Sequence, residues 1–231
     1  FCLGLAAIFL AIASPLDPLS DDYLLSAHMV QHILLTLIAP PLVIAGIPPW
    51  MVAPVTRRAR VWRVWRVLTR PVMAFLLFHL PFALSHVPPF YNLALENHAV
   101  HILEHYVYIS TAFLAWWVVV APGREYGQLQ SGGRMLYLLV QTLPGQVVGA
   151  MIIGAESVLY ANYANAPRVW GLAAKTDQEI GGLIMWVAVL TFYLAAAGIV
   201  FFRWASGEDR DQRRRYEVSS SRSAPPGTPT L

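Results

Sequence analysis

His28, His32, His79, His86, His98, His101 and His105 are the seven histidines of this 231-residue chain. They fall into three sets with helical spacing. His28 and His32 are at i and i+4, and His98, His101 and His105 are at i, i+3 and i+7. His79 and His86 lie two turns apart, so each set shares one helix face. Imidazole is the commonest protein metal ligand. Ionisable side chains at membrane depth are costly and mark function by default. The chemistry to consider is therefore metal binding between helices.

The elements that carry these residues are apolar. The chain is 57% hydrophobic and 13% charged, with mean hydropathy +0.52. This is the composition of a polytopic membrane protein and excludes an ordinary soluble domain. The single cysteine, Cys2, excludes an intrachain disulfide and any CxxC motif. A metal site must then draw on His, Met and carboxylates. The net charge of +3 comes with clustered arginines. They lie beside tryptophans between apolar stretches, which favours a topology signal over nucleic-acid binding.

The pattern predicts an all-α membrane bundle of about six transmembrane helices. The first, Phe1 to Ala13, is shorter than the ~20 residues a span needs. It reads as the end of a truncated helix in a fragment lacking its N-terminus. The competing reading is a signal peptide ending at Ala11-Ile12-Ala13. Further spans are expected over Tyr23–Ala45, Val72–Val87, His98–Val120, Met135–Ile153 and Glu179–Phe202. Three basic stretches alternate with acidic loops. The first holds Arg57, Arg58, Arg60, Arg63, Arg66 and Arg70, the second Arg124 and Arg134, and the third Arg203, Arg210, Arg213, Arg214 and Arg215. All three fall on one side of a six-span topology, which predicts a cytoplasmic C-terminus and outward-facing histidines. Residues 1–205 are expected to be the bundle. Within it, residues 52–70 are read as an interfacial segment with Trp62, Trp65 and Leu68 on one face and Arg63, Arg66 and Arg70 on another. Residues 206–231 are expected to be a disordered tail.

This topology gives each histidine a depth. His28 and His32 lie roughly 8 and 14 Å below the outer surface at ~1.5 Å per residue, and His79 lies about 12 Å below the exit of its span near Val87. His32, His79 and His105 reach comparable depth, which predicts a deep group of His28, His32, His79, His101 and His105. His86 and His98 form a surface pair. Asp177 is placed as a partner that orients a ligand histidine, or as a helix cap. A single membrane histidine serves equally well as an interhelical hydrogen-bonding group. For Met29, Met151 and Met185, core packing is the commoner role. Five neutral imidazoles together, however, leave many donors and acceptors to satisfy, and a metal does so most simply. Copper and zinc both suit imidazole, and nearby thioethers tilt the choice towards Cu(I).

The run His28-Met29-Val30-Gln31-His32, followed by Pro40-Pro41, Gly46 and Pro48, resembles the integral-membrane CtaG family of bacterial cytochrome c oxidase (caa-type) assembly factors. The likeness continues in order through His79-Leu80-Pro81, His86-Val87-Pro88, His101 with Glu104-His105, and Trp116-Trp117. It then takes in Tyr160, Tyr163, Asp177-Gln178, Gly181-Gly182, Met185-Trp186 and Arg203-Trp204, covering roughly Pro15 to Trp204. The resemblance implies a bacterial cell-membrane protein that matures the oxidase by supplying copper, with oxidase subunits and lipid as partners and no catalytic turnover. An unrelated single-span copper chaperone with cysteine ligands shares the family's name, and this chain lacks suitable cysteines. Other classes remain open on the residues alone. One is a zinc-dependent membrane hydrolase using His28, His32, His101 and His105 with Asp177 or Glu104 as base. Another is a bis-histidine haem carrier, and another a proton-relay transporter. Oligomeric state leaves no signal in the sequence.

Overall fold

A computed structural model describes the backbone of residues 1–122, 126 and 129–223, and the side chains of these residues up to 207 apart from Val55. Arg124, residues 224–231 and the side chains of Arg210, Arg213, Arg214 and Arg215 lie outside the described residues.

Lipid offers no hydrogen bonds to backbone, so a spanning chain must satisfy its own. The described residues do so as helices, with no strand among them. Helix α1 (Cys2–Ile12) bends by 45° into α2 (Leu16–Asp22). One span then runs through α3 (Leu25–Ile33), a π-helical turn (Leu34–Ile38) and α4 (Ala39–Ala45). Next come α5 (Pro49–Thr56) and α6 (Ala59–Leu68), with a 65° bend into α7 (Pro71–Ser85). The short α8 (Pro88–Glu96) precedes α9 (His98–Val120), α10 (Ser131–Gly154) and the short α11 (Ala161–Asn165). The last span joins α12 (Ala174–Leu183), a second π turn (Ile184–Ala188) and α13 (Val189–Ser223). Among the described residues, 4 helices are long and apolar enough to cross a membrane, or 6 if each bent pair is one span. The expected all-α polytopic bundle is what the chain forms.

Helix ends differ from span ends where polar residues extend a helix beyond its apolar stretch. The fifth span starts at Ser131 rather than Met135, and the last at Ala174 rather than Glu179. The last helix also carries helical backbone to Ser223, into the segment expected to be disordered. Extending an existing helix needs no new nucleus, so a polar, arginine-rich sequence follows it at little cost. The run Phe1–Ala13 forms α1, packed on α4 so closely that a Cβ on Gly4 would lie 2.9 Å from the Ala39 carbonyl oxygen. Gly149 and Gly182 let α10 and α12 touch in the same way: a Cβ on either would come within 3.0 Å of the other's carbonyl.

The first π turn has a local cause. Pro40 has no N–H, so the Thr36 carbonyl four residues earlier loses its helical donor. Trp116 of α9 supplies one, with Nε1 donating to Thr36 O at 2.9 Å. The Thr36 hydroxyl in turn donates to His32 O at 2.6 Å. The turn is thereby tied to α9 just beyond the histidines.

The bundle has two chemically distinct ends. Trp65 of α6 meets Trp117 edge-on with ring centroids 5.0 Å apart, and Trp62 meets Tyr126 at 5.8 Å. These contacts hold the arginine-bearing α6 at the far end of α9 from its histidines, ~24 Å along the helix from His101 to Trp117. Trp62, Trp65 and Leu68 are half-buried while Arg63, Arg66 and Arg70 are exposed, as the pattern predicted.

Candidate metal centre

Three polar anchors position the histidine helices. Asn97 caps α9, its Oδ1 accepting from Ala99 N at 3.0 Å and Val100 N at 3.3 Å. Helix α3 has no cap of its own. Asp177 of α12 provides it, accepting from Leu25 N at 2.7 Å, Ser26 N at 3.2 Å and the Ser26 hydroxyl. Gln31, on the turn between His28 and His32, donates to Ala11 O at 3.0 Å and Asp17 Oδ1 at 2.9 Å. It thereby ties α1 and α2 to α3. Ser20 Oγ sits 3.0 Å from Gln31 Oε1 and 3.1 Å from Asp21 Oδ1, which brings the end of α2 over the histidines.

Four imidazoles meet there. Ring centroids lie 4.2 Å apart for His28 and His32, 4.3 Å for His101 and His105, 5.5 Å for His32 and His105, and 5.9 Å for His28 and His101. Asp21 closes the group, with Oδ2 3.4 Å from His101 Nδ1 and Oδ1 3.8 Å from His28 Nδ1. Two overlapping sets each offer three ligand atoms within 4.8 Å of one another: His28, His32 and His105, and Asp21, His28 and His101. His28 Nδ1, His32 Nε2, His101 Nε2 and His105 Nε2 are buried without a hydrogen-bond partner. Each such atom costs ~1–3 kcal/mol. A cation accepting these lone pairs would recover that cost, so the donor set fits a metal. The Asp21 side chain is 28% exposed and gives the cluster an edge towards solvent.

The other expected site residues lie elsewhere. His79 is apart from the four, packed between Phe75 and Phe78 and donating through Nε2 to Gln141 Oε1. His98 is exposed on the first turn of α9, as a surface residue should be. His86, expected beside it at the surface, is only 6% exposed. The loop before α11 covers it: Tyr160 Oη donates to His86 O at 3.0 Å, and Tyr91 packs beside the ring. Asp177 does not orient a histidine, because its carboxylate is taken up by the start of α3. That also leaves it unsuited to act as a hydrolytic base. Glu104 interacts with Ser85 and Tyr108 and belongs to neither three-atom set. Met29 and Met185 are buried, whereas Met151 is 62% exposed and is neither core nor site. Asp21 is the residue that sequence did not single out. Its signal was an acidic stretch placed directly before the His28 stripe.

A tyrosine layer roofs the histidine end. Tyr91 and Tyr160 stack at 3.9 Å, and Tyr163 Oη donates to Ser20 O at 2.6 Å. Burial pushes all three phenols up, away from ionisation, so they stay hydrogen-bond donors.

Several apolar spans packed around a buried imidazole cluster near one end define a multi-pass helical membrane protein. The family model described as cytochrome c oxidase caa3 assembly factor (Caa3_CtaG) matches residues 1–206, and the chain belongs to that family. Among curated proteins it is similar to uncharacterized proteins of Mycobacterium bovis and Mycobacterium tuberculosis. Each is 24% identical over 213 residues, which is 85% of this chain and 32% of theirs. A Mycobacterium leprae protein is 22% identical over 205 residues, 80% of this chain and 30% of its own length. The chain thus spans about a third of the length of the curated relatives it matches. No solved structure matches it.

Proposed function

We propose that this chain binds copper at the extracytoplasmic face of the bacterial cell membrane and supports its insertion into a caa3-type cytochrome c oxidase, without turning over a substrate. The observation that carries this reading is the four-histidine cluster of His28, His32, His101 and His105, with buried unpaired ring nitrogens beside Asp21. Membership of the assembly-factor family supports the oxidase as partner. The arginine-rich stretches at the opposite end support an outward-facing cluster and a cytoplasmic C-terminus. Neutral imidazoles with a carboxylate at the edge suit an ion that must be received and released, because several ligands of moderate strength can be exchanged one at a time.

The test is metal content of the purified chain together with oxidase maturation in membranes. His32→Ala and His105→Ala should each lower copper affinity at least as much as the ~10–100-fold that losing an outer hydrogen-bond partner costs a metal site. Oxidase activity should fall while the amount of chain in the membrane is unchanged. Unaltered copper content and oxidase activity in both variants would sink the proposal. Stoichiometric zinc without copper would favour the hydrolase reading, for which Asp21, His28 and His101 are an apt ligand set.

A further inference from the structure

Below the outer cluster lies a cavity of about 50 Å³ between the two π turns, α7 and α10. It exceeds the ~10–15 Å³ that a single water-sized sphere occupies. Met29, His32, His79, His86, Gln141 and Met185 are among its walls, and these six are all buried. Two hydrogen bonds fix the imidazoles. His86 Nδ1 donates to Phe82 O at 2.7 Å, and His79 Nε2 donates to Gln141 Oε1. A carbonyl oxygen can only accept, so the proton is on the bonded nitrogen and the other carries the lone pair. Those other nitrogens, His79 Nδ1 and His86 Nε2, are buried with no partner, as is His32 Nε2. The cavity is thus walled by imidazoles preset as acceptors and by two thioethers.

Its donor set differs from that of the outer cluster. Among the described residues no carboxylate lines it. Thioether and imidazole are soft to borderline ligands and select Cu(I). A low-dielectric interior without a counter-charge also penalises a divalent ion roughly four times as much as a monovalent one, since the Born cost scales with charge squared. We propose that this chamber is a second metal site, taking a cuprous ion through Met29, Met185 and one free imidazole nitrogen of its wall, with His32 standing between it and the outer cluster. The inference rests on the copper reading of that cluster for the identity of the cargo. It adds that the ion has an inner resting place of different chemistry. No oxidation or reduction is involved, since the ion enters and leaves as Cu(I).

The experiment uses the intact chain in detergent, titrated anaerobically with Cu(I) against a chromophoric chelator and separately with Zn(II). Copper–sulfur scattering is read by X-ray absorption. The wild type should show that scattering. The volume-conserving pair Met29→Leu with Met185→Leu should abolish it and weaken Cu(I) binding by at least about tenfold, leaving Zn(II) affinity within about twofold. His101→Ala should retain it. Scattering that is absent from the wild type, as for a cavity holding water only, or that survives in the double variant, overturns the chamber. If instead the outer-cluster variants keep all their copper while the scattering is present, the outer reading fails and the chamber stands.

Discussion

The two ends of the bundle cohere by different means. At the arginine end, Trp116 stacks on Tyr193 with centroids 5.6 Å apart and Trp117 meets Trp65, forming an aromatic core around Leu138 and Val118. At the histidine end a second apolar cluster around Leu25, Ile152 and Tyr160 is joined by buried hydrogen bonds between elements: Asp177 on α3, Gln31 on α1 and α2, and Tyr163 on Ser20. Helix packing between apolar surfaces in lipid is nondirectional, whereas hydrogen bonds fix angles. A site that must hold several ring nitrogens at set separations is better served by the second. The contrast separates the part of the molecule that keeps the bundle together from the part that keeps the imidazoles aimed.

The largest effect that would sharpen this contrast comes from the arginine-side core. Trp116→Ala removes a large ring and leaves the Thr36 carbonyl without a donor. It should cost about 3–5 kcal/mol of unfolding free energy in detergent, while the folded fraction binds metal at wild-type stoichiometry. Metal lost from the folded fraction would break the comparison. Next is Asp177→Ala, which uncaps α3 and should cost about 1.5–3 kcal/mol. Here metal affinity should fall as well, since the start of α3 sets the height of His28 and His32. An Asp177→Ala chain with full affinity would show that the anchor does not aim the cluster. The smallest is Tyr163→Phe, which removes one donor to Ser20 O and should cost about 1 kcal/mol. It should speed metal release in a chelator-capture assay, and unchanged release would show that the tyrosine layer is only a cover.

Helix existence was legible wherever apolar stretches were long: α9 runs from His98 to Val120, as the hydropathy and histidine spacing predicted. The facing of His28 and His32 towards His101 and His105 was inferable from i, i+3 and i+4 spacing once the helices were taken as neighbours. What escaped depends on contacts between distant residues. Asp21 reaches the cluster because the chain bends between α1 and α2 and Gln31 holds the bend. His86 is buried because a loop more than seventy residues later folds over it, through Tyr160. His79, expected at the depth of the others, faces Gln141 instead, since depth along a helix does not determine rotation about it. Asp177 reads equally as a cap or a ligand partner from its own neighbours. Only its distance of 152 residues from Leu25, closed in the fold, decides between them.

That last contact also has a consequence in time. A ribosome releases the chain from its N-terminus, and at ~5–20 residues per second the stretch from Leu25 to Asp177 takes roughly 8–30 s to make. Through that interval the start of α3 has no cap, so His28 and His32 wait on the arrival of the last span. The cluster takes its final form only once Asp177 has arrived, and a shorter nascent chain holds no completed set of four imidazoles.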